Sequence, residues 1–307
     1  MASKKNNNET SSSNNRLEVL KTYKIFIGGQ FPRTESGRYY IAVNQKGKKL
    51  ANVCLSSRKD IRDAVEAARN AFGSWSARAA FNRGQILYRM AEMLEGRKEQ
   101  FIQELMEMDA TRAQAEKEVH VSIDRLIYYA GWADKYQQVL SAVNPVASSH
   151  FNFSVPEPMG VVGIITPQQY SLIGMISLIA SVIAGGNTAV VIGSFSKPLC
   201  AVTLAEVLHA SDLPGGVVNI LTGNPSELTP WLAGHMDVNS IIYCEQDPVL
   251  TKTIQEKASL NVKRVQLYQQ LNWMSEDAQS PYFINDFQEI KTTWHPVDSI
   301  AGGGSKY

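Results

Sequence analysis

The chain has 307 residues and a mass of 34.0 kDa, which is long enough for one large or two modest domains with a substantial core. Thirty Lys and Arg residues against 29 Asp and Glu residues leave a formal charge of +1, so neither nucleic acid nor an anionic membrane is an expected partner. No apolar run approaches the ~20 residues of a membrane-spanning helix, and the three scattered cysteines and five histidines show no metal-ligand spacing, which favours a reducing cytoplasm and no metal site.

The first part of the chain predicts a tail followed by a mixed layer. Residues 1–15 hold five Asn and four Ser without an apolar stretch, which is typical of a disordered tail. Short extended runs at residues 23–27 and 39–43, separated by turn residues, predict a small β layer. Beyond Ser57, a candidate N-cap, apolar residues recur at helical spacing to about Leu140. We therefore expect residues 16–147 to form an N-terminal layer of strands and helices.

Residues 148–158 have the pattern of a single strand. Phe151, Phe153 and Val155 alternate with polar residues, as in a strand with one buried and one solvated face. Pro156 and Pro158 follow, and because proline cannot donate to a β ladder, they predict that this strand lies at the edge of its sheet.

Residues 159–270 predict an α/β fold, a Rossmann-like doubly wound parallel sheet. Five short β-branched runs alternate with four stretches of the length that a helical crossover requires. The runs lie at residues 161–165, 188–192, 217–221, 241–244 and 262–267, and the helical stretches at residues 170–184, 198–209, 226–234 and 248–258. Such sheets bind ligands at the carboxyl ends of their strands. After Asn272 the periodicity fades, which predicts an irregular C-terminal tail over residues 271–307.

Few residues at this sheet edge suggest chemistry. No G-x-G-x-x-G follows the first strand, and Gly223, just past the third, is either a turn glycine or a phosphate contact. Cys244 ends the fourth strand beside Glu245, but a free cysteine is more often a buried small hydrophobe than a nucleophile. Glu118, in a charged helical stretch, is expected to lie on a solvated face.

Several motifs, in order and spacing, resemble the aldehyde dehydrogenase superfamily over about residues 23–267. They are Ile27-Gly-Gly-Gln-Phe31, Ala67-Ala-Arg-Asn-Ala-Phe-Gly-Ser-Trp75, Glu157-Pro-Met-Gly-Val-Val-Gly-Ile-Ile165, Ala184-Gly-Gly-Asn-Thr188 and Leu213-Pro-Gly-Gly-Val-Val-Asn-Ile-Leu-Thr-Gly223. The chain is most similar to degenerate members such as the second module of the two-module sixteenth family. The resemblance covers the cofactor-binding half and implies that the catalytic domain is absent. It also identifies residues 148–158 with the family's oligomerisation strand.

The resemblance implies a degraded cofactor site. It assigns cofactor-binding positions to Ile165, Thr166, Pro167 and Gly223. The family's ribose-binding Lys and Glu correspond to Ile192 and Phe195, neither of which can bond a ribose hydroxyl. Glu245 stands where the family has a small residue near the pyrophosphate, and its carboxylate would repel the cofactor.

The family's catalytic groups are also replaced. Members oxidise aldehydes through a cysteine thiolate, with an asparagine amide in the oxyanion hole and hydride transfer to NAD(P). Gln169 takes the position of that asparagine and Tyr268 that of the general-base Glu, while no cysteine follows Cys244.

Three functions remain open on these grounds. The first is a non-catalytic subunit, binding no cofactor, that associates with a complete aldehyde dehydrogenase or with itself in the cytoplasm. The second is an NAD- or NADP-dependent aldehyde dehydrogenase. The third is a module that binds another small ligand in the altered cleft.

Overall fold

The computed structural model describes residues 19–297, so the tail predicted at residues 1–15 lies outside the described residues. The described chain opens with a three-stranded sheet of β1 (Thr22–Tyr23), β2 (Tyr39–Val43) and β3 (Lys49–Cys54), in the order β1-β3-β2. The strand predicted at residues 39–43 is confirmed. The one predicted at residues 23–27 is wrong beyond Tyr23, because Phe26 instead bridges Ile220 in another sheet.

A helical layer follows and ends where the sequence predicts, at Leu140. It consists of α1 (Arg58–Ser76), α2 (Ala80–Gly96), α3 (Lys98–Glu107), α4 (Arg112–Trp132) and α5 (Tyr136–Leu140). Ser57 is the N-cap of α1, and its backbone N–H donates to the Asp60 carboxylate at 2.7 Å, which completes a capping box.

Two strands then lead into the central sheet, namely β4 (Ala142–Asn144) and β5 (His150–Pro158). The central elements are β6 (Val161–Ile165), α6 (Ile173–Ala184), β7 (Thr188–Ile192), α7 (Leu199–His209), β8 (Val218–Leu221), α8 (Pro225–Gly234), β9 (Ser240–Tyr243), α9 (Pro248–Ala258) and β10 (Arg264–Leu267). All five strands are parallel, in the order β10-β9-β6-β7-β8. The predicted doubly wound α/β sheet is confirmed.

The core lies on both faces of this sheet. On one face α6 and α7 pack with α2 to α5 of the helical layer, and on the other the first half of α1 surrounds a second apolar cluster together with α8 and α9. The turn before β8 brings the backbone close to α1: Gly216 has φ +91°, and a Cβ there would lie 2.5 Å from the carbonyl oxygen of Ala67. This approach requires glycine.

The irregular tail predicted for residues 271–307 is wrong within the described residues. A short helix α10 (Tyr282–Asn285) precedes β11 (Gln288–Pro296), which pairs antiparallel with β5 along nine residues, from Gln288 opposite Pro158 to Pro296 opposite His150. Most of β11 is exposed on both faces, so its sequence lacks the alternation by which a half-buried strand is recognised.

The predicted edge position of β5 also needs correction. β5 is the middle strand of the sheet β11-β5-β4, with β11 along its whole length. β4 pairs only as far as Ser154, and the Pro156 carbonyl instead accepts from Gln137 of α5 at 3.0 Å. The backbone groups of residues i and i+2 point toward the same neighbouring strand. The nitrogens of both prolines, which carry no hydrogen, therefore point toward the side on which β4 has ended. The prolines therefore mark a local gap in pairing.

Candidate functional site

The ligand-binding crevice of such a sheet is fixed by its strand order. β7 and β8 lie on one side of β6, while β9 and β10 lie on the other, so the order reverses between β6 and β9. The crevice lies outside the carboxyl ends of these two strands. Here it is bordered by the loop after Ile165 and the loop after Tyr243.

Side chains of the protein close this crevice, and Gln168 is central to the closure. Its backbone N–H donates to Oε1 of Glu245 at 2.7 Å, which joins the loops after β6 and β9. Its side-chain Oε1 accepts from the backbone N–H of Phe195 at 2.8 Å, and its carbonyl accepts from the Ser194 hydroxyl at 3.0 Å. Three loops of the carboxyl edge are thereby tied to one residue.

The closure extends to neighbouring elements. Gln269, after β10, donates its side-chain amide to the carbonyl of Glu245 at 2.9 Å. Tyr40 of β2 packs its ring 4.6 Å from that of Phe195 and donates its hydroxyl to the Phe195 carbonyl at 3.1 Å. The Phe195 side chain is thus engaged with the N-terminal sheet.

Three of the four helices that begin at this edge, α6, α8 and α9, have N-termini that side chains of the protein cap, so these N–H groups are not free for a phosphate. Glu118 accepts from the backbone N–H groups of Leu172 and Ile173, at 3.0 and 3.2 Å, where α6 begins. Asp247 caps α9 and Asn224 caps α8. Glu118 is 8% exposed, so the expectation of a solvated face is wrong: it is turned inward by its capping role.

The charge at the edge also disfavours an anion. Glu245 and Asp247 place carboxylates within three residues of each other, while Lys197 is held by the carbonyl of Gln169 at 3.3 Å. Burial raises the pKa of Glu118, an effect that its two backbone hydrogen bonds oppose. A pyrophosphate placed here would lose solvation without gaining the N-terminus of α6 or of α9, the helices that follow β6 and β9.

The proposed cofactor positions differ in what they expose. Ile165, Thr166 and Ile192 are fully buried, and the Thr166 hydroxyl donates to the Ile192 carbonyl at 3.1 Å. Pro167 is buried against α6, where it lies against Gly174. Gly223 follows the outermost strand β8, and a Cβ there would lie 3.2 Å from the Ser56 backbone nitrogen. Gly223 is therefore tightly packed and lies apart from the crevice.

The positions that the resemblance assigns to catalytic groups hold Gln169 and Tyr268, and the last cysteine of the sequence is Cys244. Gln169 is exposed, and its side chain forms no hydrogen bond with the residues that the structure describes. The Tyr268 hydroxyl donates to Asp286 at 2.6 Å, and burial together with that carboxylate raises the pKa of the phenol. Burial, and then Glu245, raises the pKa of the Cys244 thiol, which is 7% exposed. Cys244 is a buried thiol, as the sequence suggested.

Sequence reasoning located these positions but missed two groups that shape the site. The first is Gln168, whose bonds to two other loops depend on tertiary geometry that no motif encodes. Asp286 lies in the segment that was expected to be irregular. Across residues 19–297, no cluster of three His, Cys, Asp or Glu could hold a metal ion, and no helix is long and apolar enough to cross a membrane.

Comparison with known proteins places this geometry in context. Residues 33–269 match the model of the aldehyde dehydrogenase family. Cytosolic 10-formyltetrahydrofolate dehydrogenase of Mus musculus is 34% identical over 258 residues, which cover 82% of this chain and 29% of that protein. Omega-crystallin of Enteroctopus dofleini is 31% identical over 259 residues, covering 82% of this chain and 51% of that protein.

Solved structures agree on the fold. An NAD+ complex of an aldehyde dehydrogenase from Bacillus cereus superposes with a TM-score of 0.76 at 27% identity, covering 81% of this chain and 51% of that one. A putative aldehyde dehydrogenase from Burkholderia cenocepacia superposes with a TM-score of 0.76 at 30% identity, covering 81% of this chain and 50% of that one. The chain spans about half the length of these structures and under a third of the formyltetrahydrofolate dehydrogenase.

Proposed function

Because the chain belongs to the aldehyde dehydrogenase family, we propose that it is a non-catalytic member that associates with a complete aldehyde dehydrogenase or with a second copy of itself. One observation carries the first part of the proposal. The crevice in which a parallel sheet of this kind would hold a dinucleotide is crossed by the hydrogen bond from Gln168 to Glu245 at 2.7 Å. Binding there would first have to break this bond and desolvate a carboxylate.

The surface that supports the second part is one face of the β11-β5-β4 sheet. Four apolar side chains, Val143, Phe151, Phe153 and Val155, line it, and the two Phe rings lie 5.5 Å apart. Val143 is 67% exposed and Phe151 48%. Such a contiguous apolar patch is typical of an interaction site. β11 adds an open edge of nine residues that a further strand could join.

Titration calorimetry with NAD and with NADP tests the first part. We expect no binding at submillimolar concentration, whereas a complete aldehyde dehydrogenase titrated in the same buffer provides the positive control. Micromolar affinity for either cofactor would refute the closed-crevice argument. Turnover of an aldehyde that is abolished by Cys244→Ala would refute the non-catalytic assignment as a whole.

Analytical ultracentrifugation, together with affinity capture from the native host, tests the second part. Phe151→Lys should weaken self-association or capture of an aldehyde dehydrogenase. The exposed half of a Phe side chain is about 100 Å², which at ~25 cal/mol per Å² corresponds to about 2.5 kcal/mol, or about sixtyfold in affinity. Phe81→Lys is the control, since Phe81 is 62% exposed on α2 and does not line this apolar face. A monomeric wild type with no companion protein would contradict the proposal.

The alternative is an NAD- or NADP-dependent aldehyde dehydrogenase. Its support is that structural relatives at about 27% identity include an NAD+ complex. It requires the loops held by Gln168 to open, and the calorimetric titration separates it from the first proposal. Under either function we propose a cytoplasmic location, with which the relatives named as cytosolic are consistent.

A further inference from the structure

A second cavity lies far from the crevice just described. It has a volume of about 480 Å³ and lies between the first turn of α1 and the second halves of α8 and α9. Both α8 and α9 begin at the carboxyl edge of the sheet, and Lys257 lies ten residues beyond the Asp247 cap. At 1.5 Å per residue, this places the cavity about 15 Å along α9 from that edge.

The cavity combines an apolar wall with uncompensated positive charge. Ile61, Pro230, Trp231 and Leu260 form the apolar part, and the Trp231 indole is 46% exposed. Arg58, Arg62 and Lys257 supply the cations, and no lining residue is acidic. Arg62 is paired with Asp63 at 2.7 Å, whereas Arg58 and Lys257 have no ion-pair partner among residues 19–297.

The Arg58 guanidinium is held in position by the indole. Its central carbon lies 4.6 Å from the centre of the Trp231 ring, in a cation–π contact. A guanidinium that packs through its face keeps its in-plane N–H donors for an anion. His235 adds a neutral donor, because its Nδ1 accepts from the Asp237 backbone N–H at 3.2 Å and the ring proton is then carried by Nε2.

From this arrangement we propose that the cavity binds a small planar aromatic anion, a ring that bears a carboxylate or a phosphate. The ring packs against Trp231 and Leu260, while Arg58 and Lys257 bind the anionic group. The volume falls within the ~300–1,000 Å³ of small-molecule clefts. This site is independent of the proposed function, since none of its residues belongs to the crevice.

Calorimetric titration with 2-naphthoate and 2-naphthyl phosphate tests the proposal. Two control probes are 2-naphthol, which lacks the anionic group, and inorganic phosphate, which lacks the aromatic ring. We expect at least one naphthyl anion to bind about tenfold more tightly than naphthol and than phosphate. Whichever anion binds more tightly identifies the charged group. Equal affinity for naphthol, or no binding of either anion at 5 mM, which is about the weakest affinity such a titration detects, overturns the proposal.

Two substitutions locate the site. Arg58→Gln and Trp231→Leu should each weaken the preferred anion at least fivefold; both side chains are exposed, and thermal melts will verify the fold. Arg78→Gln is the matched control, because Arg78 is also an exposed arginine beside a tryptophan, Trp75, but outside the cavity. Unchanged affinity in Arg58→Gln, or an equal loss in Arg78→Gln, would contradict the assignment. Absence of NAD binding leaves these results unaffected.

Discussion

Replacing Arg125 by methionine should loosen the segment that follows the central sheet. Arg125 lies on α4 and is 1% exposed. Its guanidinium donates to the Ser177 hydroxyl at 2.9 Å and to three backbone carbonyls, of Trp273, Ser275 and Ala278. No carboxylate of the described residues accepts from it, and burial lowers its pKa. The side chain thus serves as a donor that holds residues 273–278 against the helical layer.

The expected loss can be estimated from these contacts. The bonds to Trp273 and Ala278 are buried, and each carbonyl left without a donor costs about 1–3 kcal/mol. Methionine restores part of the volume and removes the cost of burying a cation, so we expect a net loss of about 3 kcal/mol. For 307 residues, with an unfolding entropy of about 2.1 cal/mol/K per residue, that corresponds to a decrease in Tm of about 5 °C.

Differential scanning calorimetry measures the decrease, and hydrogen exchange read by mass spectrometry should show faster exchange in residues 271–280 before global unfolding. Arg112→Met is the control on the same helix, because Arg112 is exposed and pairs only with surface glutamates. If both variants melted within about 2 °C of each other, the carbonyl contacts would not contribute as argued.

Three further results are expected. Burial raises the pKa of Glu104, so the contribution of this carboxyl to stability is present below pH 4.5 and is lost as pH rises through its pKa in the folded protein. Glu104→Gln should therefore flatten the decline in Tm with pH. Glu256→Gln, at an exposed glutamate, should leave that decline unchanged. Gly216→Ala should destabilise by more than about 2 kcal/mol in urea unfolding, against about 1 kcal/mol for Gly47→Ala, which has a similar positive φ but open space around it. All three cysteines are buried, so 5,5′-dithiobis(2-nitrobenzoate) should titrate them only in denaturant; rapid labelling of the native protein would be inconsistent with that burial.

Most of the central sheet could be predicted because four of its five strands, β6 to β9, are buried on both faces. The runs at Val161–Ile165 and Thr188–Ile192 match the observed strands residue for residue, because a run of five residues rich in β-branched side chains and bounded on one side by glycine is too short for a helix and favours a buried strand. β11 could not be predicted, because it is held by ladder hydrogen bonds to β5 rather than by an apolar face.

The position of the candidate site could be predicted from the sequence, but the hydrogen bonds that close it could not. Strand ends show where a crevice must lie, and the residue types at Gln169 and Glu245 already argued against cofactor chemistry. That Gln168 and Glu245 bond each other, and that Glu118 reaches α6 from another helix, depend on tertiary contacts between residues 54 to 77 positions apart. Local sequence carries no signal for such contacts.

The pairing of β5 with β11 has a consequence for biosynthesis. Register partners such as Lys291 and Val155 are separated by more than 130 positions, so β5 emerges from the ribosome long before the strand that completes its sheet. At about 5–20 residues per second, the wait lasts roughly 7 to 26 s. During that interval the backbone N–H and C=O groups of β5 that face β11 have no ladder partner, so the nascent polypeptide presents an open strand edge at this stage of translation.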